Sequence, residues 1–210
     1  MTTPTHHPPI DWLLSHANRS APDALSLLTA SHVAICASCA SESQTLAALG
    51  GTALAEEPPR AGGDFEALLA KLDQPQSPPT RRPRADPLMP AALVSVFGQS
   101  ESLPWKRLLP GVHIVPAAVS GAATVRLMRF RPGFRPPLHT HQGLERTLVL
   151  SGGFSDDEGV FERGDLSVRG EGPHDQRMHD DAPCVCLFVN DGSLVPLTWV
   201  GRLLSRFVDA

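Results

Sequence analysis

Three residues of metal-ligating type crowd into one short run, Ser31-His-Val-Ala-Ile-Cys-Ala-Ser-Cys39, and they restrict how the first third of this chain can fold. Read as one helix at about 100° per residue, His32 and Cys36 lie roughly 40° apart around the axis, with Cys39 about 20° to the other side of His32. All three side chains then leave the same face. Thiolate and imidazole are the donors zinc prefers, and a structural zinc site closes with four of them. The fourth has to come from outside this helix, and His6-His7 is the obvious source.

The sequence around this run is helical in pattern from residue 10 to about 56. Ser20-Ala-Pro-Asp23 reads as a capping box with proline early in the first turn. Leu25, Leu27, Leu28, Val33 and Ile35 follow among alanines, as in a packed helix. A further stretch, Glu42 to Leu49, is expected to stop at Gly50-Gly51. Asp64 to Leu72 carries Phe65, Leu68, Leu69 and Leu72 at helical spacing. Residues 1–73 thus form a small all-α unit with little core of its own, the kind of unit that a bound metal stabilises.

The composition then changes. Residues 74–90 are rich in proline and arginine and read as a linker, stiff and extended in polyproline II fashion. In the remaining segment, 91–210, short β-type runs follow one another: Val112–Val115, Ala123–Phe130, Arg146–Leu150, Asp165–Val168, Cys184–Val189 and Pro196–Val200. Gly and Pro clusters such as Ser151-Gly-Gly separate them, which implies an antiparallel sandwich or barrel. The expected architecture has two domains, an N-terminal all-α zinc bundle and a C-terminal all-β barrel.

The β segment carries its own metal pattern. Gly133, His139, His141, Glu145 and Gly152 fit G-x5-H-x-H-x3-E-x6-G at every fixed position, and so resemble the cupin signature. In a strand, residues two apart face the same side, so His139 and His141 point together into the barrel, and Glu145 returns to that pocket after a turn. One more histidine, His174 or His179, would complete a mixed nitrogen and oxygen site for zinc, iron, manganese or nickel. Cys184 and Cys186 share one strand face, either as small core residues or as a redox-responsive pair. His16 and His113 have no partners in sequence and are expected at the surface.

Charge and composition exclude several classes. A net charge of -4 argues against binding nucleic acid through overall charge, and Arg81-Arg82-Pro83-Arg84 reads as a solvated tether. The first residues lack the basic and apolar regions of a secretory signal. No apolar run is long enough to span a membrane. A reducing cytoplasm is the expected compartment, where cysteines serve metal or redox roles.

The His-x3-Cys-x2-Cys array in an N-terminal helical unit resembles the zinc-binding anti-sigma factors. A following cupin barrel makes the chain similar to their ChrR subgroup over almost its whole length. That resemblance implies a fourth ligand 25 positions before His32, which selects His7. It implies a fourth barrel histidine ten positions before the Cys-x-Cys strand, which selects His174. It further implies a structural zinc at His7, His32, Cys36 and Cys39, and zinc or another divalent transition metal at His139, His141, Glu145 and His174. The partner it implies is a sigma factor of the extracytoplasmic-function type, silenced by the helical unit and released when the barrel senses an oxidant such as singlet oxygen or an organic hydroperoxide. No enzymatic activity is implied. The barrel residues alone leave a second reading, a metal-dependent, dioxygenase-like cupin enzyme acting on a small molecule.

Overall fold

The computed structural model describes residues 3–58, 65–72 and 84–197. An extended N-terminal tail leads into α1 (Ile10–Ala17), α2 (Asp23–Val33) and α3 (Ala37–Glu56), followed by α4 (Phe65–Leu72) and α5 (Ala91–Phe97). The strands come next: β1 (Lys106–Leu109), β2 (Val112–Ala117), β3 (Thr124–Phe130), β4 (His139–His141), β5 (Glu145–Ser151), β6 (Gly153–Ser155), β7 (Val160–Glu162), β8 (Leu166–Arg169), β9 (Arg177–Met178), β10 (Cys184–Asn190) and β11 (Leu194–Pro196). All pairings are antiparallel. A six-stranded sheet runs β1-β2-β3-β10-β5-β8, beside a three-stranded sheet β7-β6-β9 and the pair β11-β4. No helix among the described residues is long and apolar enough to cross a membrane.

β10 is buried along its entire length, and its alternation explains how the layers meet. Cys184, Cys186 and Phe188 face the barrel interior with Phe130, Val149, Phe154, Phe161 and Met178. Val185, Leu187 and Val189 face the other way, into a cluster with Ala24, Leu27 and Leu28 of α2 and Met89, Leu93 and Val94 at α5. A strand covered on both sides reads as a continuous apolar run, as Cys-Val-Cys-Leu-Phe-Val does. α2 and α5 therefore cover the back of the large sheet. Around the thiols themselves the buried apolar cluster is small: Leu13, Cys36 and Cys39, flanked by Val33 and Leu46.

Several local expectations change. The metal-ligand run is not one helix: α2 ends at Val33, and Cys36 is the extended N-cap of α3, with φ -99° and ψ 109°. The N–H groups of Ile35 and Cys36 both donate to the His32 carbonyl, at 2.9 and 2.8 Å, closing α2 in a tight turn. Branched side chains lower helix propensity, and Ile35 is drawn instead into a tertiary contact with the turn at Gly164. α3 runs straight through Gly50-Gly51 to Glu56, neither glycine taking the left-handed conformation that would end it. Ser20 forms no capping box; Pro22 is the N-cap of α2 and provides no side-chain bond. Of the run expected at Pro196–Val200, Pro196 closes β11, Leu197 follows it outside the strand, and the rest lies outside the described residues, as does most of the Pro/Arg-rich segment.

The end of that segment, at 84–90, is tied down. The Asp86 carboxylate accepts the N–H groups of Leu88 (2.9 Å), Met89 (2.8 Å) and Ser100 (2.7 Å). Burial alone would raise this carboxyl, but the three donors outweigh it and hold the group below its usual 3.8. Stability from a carboxyl held low in the folded state is complete above the unfolded value and is lost as pH falls through the folded one. Asp86→Ala should therefore cost about 1–3 kcal/mol at pH 7. In urea titrations, the difference from the unmodified protein should shrink as pH drops below 3.8.

Candidate metal centres

Two clusters of ligand-type side chains form, and they are built differently. In the first, His7 comes from the tail, His32 from the last turn of α2, Cys36 from the N-cap of α3 and Cys39 from its first turn. One donor atom from each lies within 4.8 Å of all the others. His7 Nδ1 is 3.5 Å from Cys36 Sγ and 3.4 Å from Cys39 Sγ, and His32 Nε2 is 3.3 Å from Cys39 Sγ. A zinc tetrahedron with ordinary Zn–S and Zn–N bonds has N···S edges of about 3.5 Å. The four residues fit such an ion. His32 Nδ1 donates to the Gly164 carbonyl at 2.8 Å, which leaves Nε2 free to ligate.

The electrostatics agree with this. Burial lowers His32 below the ordinary imidazole range, so it is neutral, as a ligand must be. Burial pushes the Cys39 thiol up to about 12, and Cys36 beside it adds to the shift. Thiols that resist ionising alone give up their protons to a coordinated cation. His6 takes no part: its ring packs on Phe161 with centroids 4.3 Å apart, and its backbone pairs with the barrel.

The second cluster is wholly buried. His139 and His141 sit two apart on β4 and Glu145 opens β5, while His174 is brought in by a single antiparallel bridge to His139. The three rings lie 4.4 to 5.1 Å apart. Glu145 Oε2 is 3.3 Å from His141 Nε2, and Oε1 is 3.9 Å from His174 Nε2. His139 Nδ1 donates to the Pro137 carbonyl at 2.8 Å, again freeing the other nitrogen. His141 Nδ1 and Nε2, His174 Nε2 and Glu145 Oε1 have no hydrogen-bond partner among the described residues. Buried polar atoms without partners are costly, and a cation at their centre would satisfy three of the four at once.

Burial sets the protonation here as well. It drops His141 to about 3, with His139 and His174 adding to the effect, and it raises Glu145 to about 7 against the Asn190 amide. His139 and His174 are also lowered, burial first. Asn190, whose Nδ2 donates to Glu145 Oε2 at 3.0 Å, was not singled out from the sequence. Its signal lies in register: Asn190 is the β10 residue directly opposite Glu145.

The other candidates lie apart from both clusters. His179 packs against Gly153. His16 in α1 and His113 in β2 are half-buried. Cys184 and Cys186 are buried in the barrel with their sulfurs 3.4 Å apart, and burial holds the Cys186 thiol well above its ordinary range.

Comparison with known proteins places these observations. A family model described as "ChrR Cupin-like domain" matches residues 94–195. Over 206 residues, 96% of this chain and 97% of the relative, the sequence is 32% identical to the anti-sigma-E factor ChrR of Cereibacter sphaeroides. The crystal structure of Rhodobacter sphaeroides SigE in complex with the anti-sigma ChrR superposes with a TM-score of 0.78 at 30% identity, covering 90% of this chain and all of that one.

The two ligand sets imply about two ions per chain. Cys36→Ser with Cys39→Ser should remove one and leave the other, and His139→Ala with His141→Ala should do the reverse. Elemental analysis of the folded variants checks both. Loss of both ions from either pair would mean that the centres do not load separately.

Proposed function

This chain belongs to the ChrR family, and we propose that it is an anti-sigma factor: it sequesters a sigma factor of the extracytoplasmic-function type and releases it under oxidative stress. The observation that carries this reading is full-length likeness to an anti-sigma factor combined with apolar helix faces that the described residues leave exposed. α4 buries none of its residues. Phe65, Leu68, Leu69 and Leu72 recur at i, i+3, i+4 and i+7, a single stripe, and are 39–66% exposed. Leu14 on α1 and Leu49 and Leu54 on α3 are exposed as well and line an apolar groove with Ala17, Ala47 and the Gly50-Gly51 pair. Contiguous exposed apolar surface of this kind marks an interaction site. A sigma factor covering it would lose its own contacts with RNA polymerase.

In this reading residues 1–73 bind the sigma factor, and the segment 91–210 is the sensor. The thiolate and imidazole cluster holds zinc, which fixes the tail, α2 and α3 in the sigma-binding arrangement. The barrel cluster holds zinc or another divalent transition metal. The cytoplasm is the matching compartment, where a sigma factor meets its polymerase and thiols stay reduced. The cavity beside His139 and Glu145 is about 80 Å³, far below the 300–1,000 Å³ typical of pockets for organic ligands. That size supports a sensor of small reactive species over a dioxygenase working on an organic substrate.

The metal-loaded chain should co-elute with its cognate sigma factor and block sigma-dependent transcription in a purified system. Leu68→Glu with Leu72→Glu should weaken the complex by about 100-fold or more while both ions stay bound, as expected when central apolar anchors are lost. A folded, metal-loaded protein that leaves transcription by every such sigma factor of its own cell unaffected would overturn the reading.

A further inference from the structure

We propose that the Gly164–Asp165 turn of the barrel is the outer shell of the helical metal centre, and that Asp165 is the positioning residue that holds His7 in it. This rests on the reading that His7, His32, Cys36 and Cys39 bind an ion. Of those four residues only His7 is exposed, and only His7 lies on the tail, away from α2, α3 and the turn that joins them. A chain terminus stays disordered unless it is tied down, so something must deliver this ligand.

The tie is Asp165. Its Oδ1 accepts the Thr5 N–H at 2.6 Å and the His6 N–H at 2.9 Å, the two peptide groups just before His7. Its Oδ2 accepts the Glu162 N–H at 2.8 Å, which fixes the carboxylate in the turn. The neighbouring Leu166 N–H donates to the His6 carbonyl at 3.1 Å. Pro4 is buried against Gly164, where a Cβ would meet Pro4 Cγ at 2.6 Å and Ile35 Cγ2 at 2.8 Å. Only glycine allows the tail and the α2–α3 turn to close on this point together. The Gly164 carbonyl also takes the Nδ1 proton of His32. One barrel dipeptide therefore orients two of the four ligands, one through its backbone and one through a ring nitrogen.

The dipeptide is in turn held by β5. Gly164 N–H donates to the Val149 carbonyl at 2.8 Å, and Val149 N–H donates to the Asp165 carbonyl at 3.1 Å. Val149 lies on the same strand face as Glu145, four residues along. The barrel centre and the outer shell of the helical centre are thus two points on one strand.

Outer-shell partners of metal ligands are worth about 10–100-fold in affinity, and that is the expected effect. The test uses the full chain loaded with cobalt(II). Cysteine ligands give thiolate-to-cobalt charge-transfer absorption, so the helical centre can be followed separately from the nitrogen and oxygen site in the barrel. Under excess chelator, Asp165→Ala should lose that absorption about 10–100-fold faster than the unmodified chain, with the barrel ion retained. In a His7→Ala background the same substitution should add less than about threefold, because Asp165 acts through His7.

Thr5→Pro deletes two donors to Asp165 from the tail side, the Thr5 N–H and hydroxyl, and changes no barrel residue. It should also speed the loss, and it decides the matter alone should Asp165→Ala fail to fold. Cobalt loss within about twofold of the unmodified chain in the folded variants, or a full Asp165 effect persisting without His7, would overturn the proposal. An unmodified chain that shows no thiolate-to-cobalt absorption would instead overturn the metal-centre reading beneath it.

Discussion

The alternation of β5 organises the molecule. Glu145, Thr147 and Val149 face the barrel interior, where Glu145 meets three histidines and Val149 packs among Phe154, Phe161 and Cys186. Leu148 and Leu150 face outward into the cluster shared with α2 and α5. Arg146 points the same way, its guanidinium 5.3 Å over the ring of Trp12 on α1 and 2.8 Å from Asp191. A strand has only two faces, and along Glu145–Val149, before the register shift at Leu150, side chains alternate between them. A one-residue slip of β5 against β10 would therefore withdraw Glu145 from its histidines and strip the helices of their apolar seat together. The metal cluster and the helix interface are set by one register.

The two clusters meet different electrostatic demands. Inside the barrel, three imidazoles and a carboxyl are buried with most of their inward-facing atoms unpaired, and the environment neutralises all of them: His141 is driven down and Glu145 up, both by burial. A divalent ion reverses that logic, making the carboxylate the favoured form and the imidazoles its ligands. At the helical centre the ligands come from three separate pieces of chain, and few apolar residues support them. There an ion would act mainly as a cross-link, holding the tail, α2 and α3 together. The thiolates that make that cross-link tight are also its oxidisable part.

The core of each donor set, His32, Cys36 and Cys39 in one and His139, His141 and Glu145 in the other, was legible from spacing, whereas His7 and His174 were selected by the family resemblance. His-x-His on a strand and His-x3-Cys-x2-Cys bring donors together under simple periodicity, and the structure does group the residues named. The route was not always the expected one. The second run converges across a helix break at 34–36 and not on one continuous face, with Ile35 at the break placed close to Gly164 of the barrel. Gly50-Gly51 did not stop α3, because glycine inside a helix costs only about 1 kcal/mol each and the helix ladder continues beyond them. What the sequence concealed was long-range: Asn190 opposite Glu145, Asp165 on the tail, and α2 sharing a core with β10. Each depends on residues more than 40 positions apart, and no local pattern reports such contacts.

That shared construction bears on how a signal could free a partner. A signal shifts an equilibrium only through a difference in free energy between the bound and free forms. If the helices hung from a loose tether, chemistry in the barrel would have no means to create that difference. Here the tail that carries His7 is bonded to Asp165, Asp165 is bonded to Val149, and Val149 shares its strand with Glu145. If, as proposed, the barrel ligands respond to a signal, this hydrogen-bonded run is the route by which the response reaches the seat of the helical cluster. That route is short, running along the five residues Glu145–Val149 of β5. The exposed stripe on α4 lies outside that run.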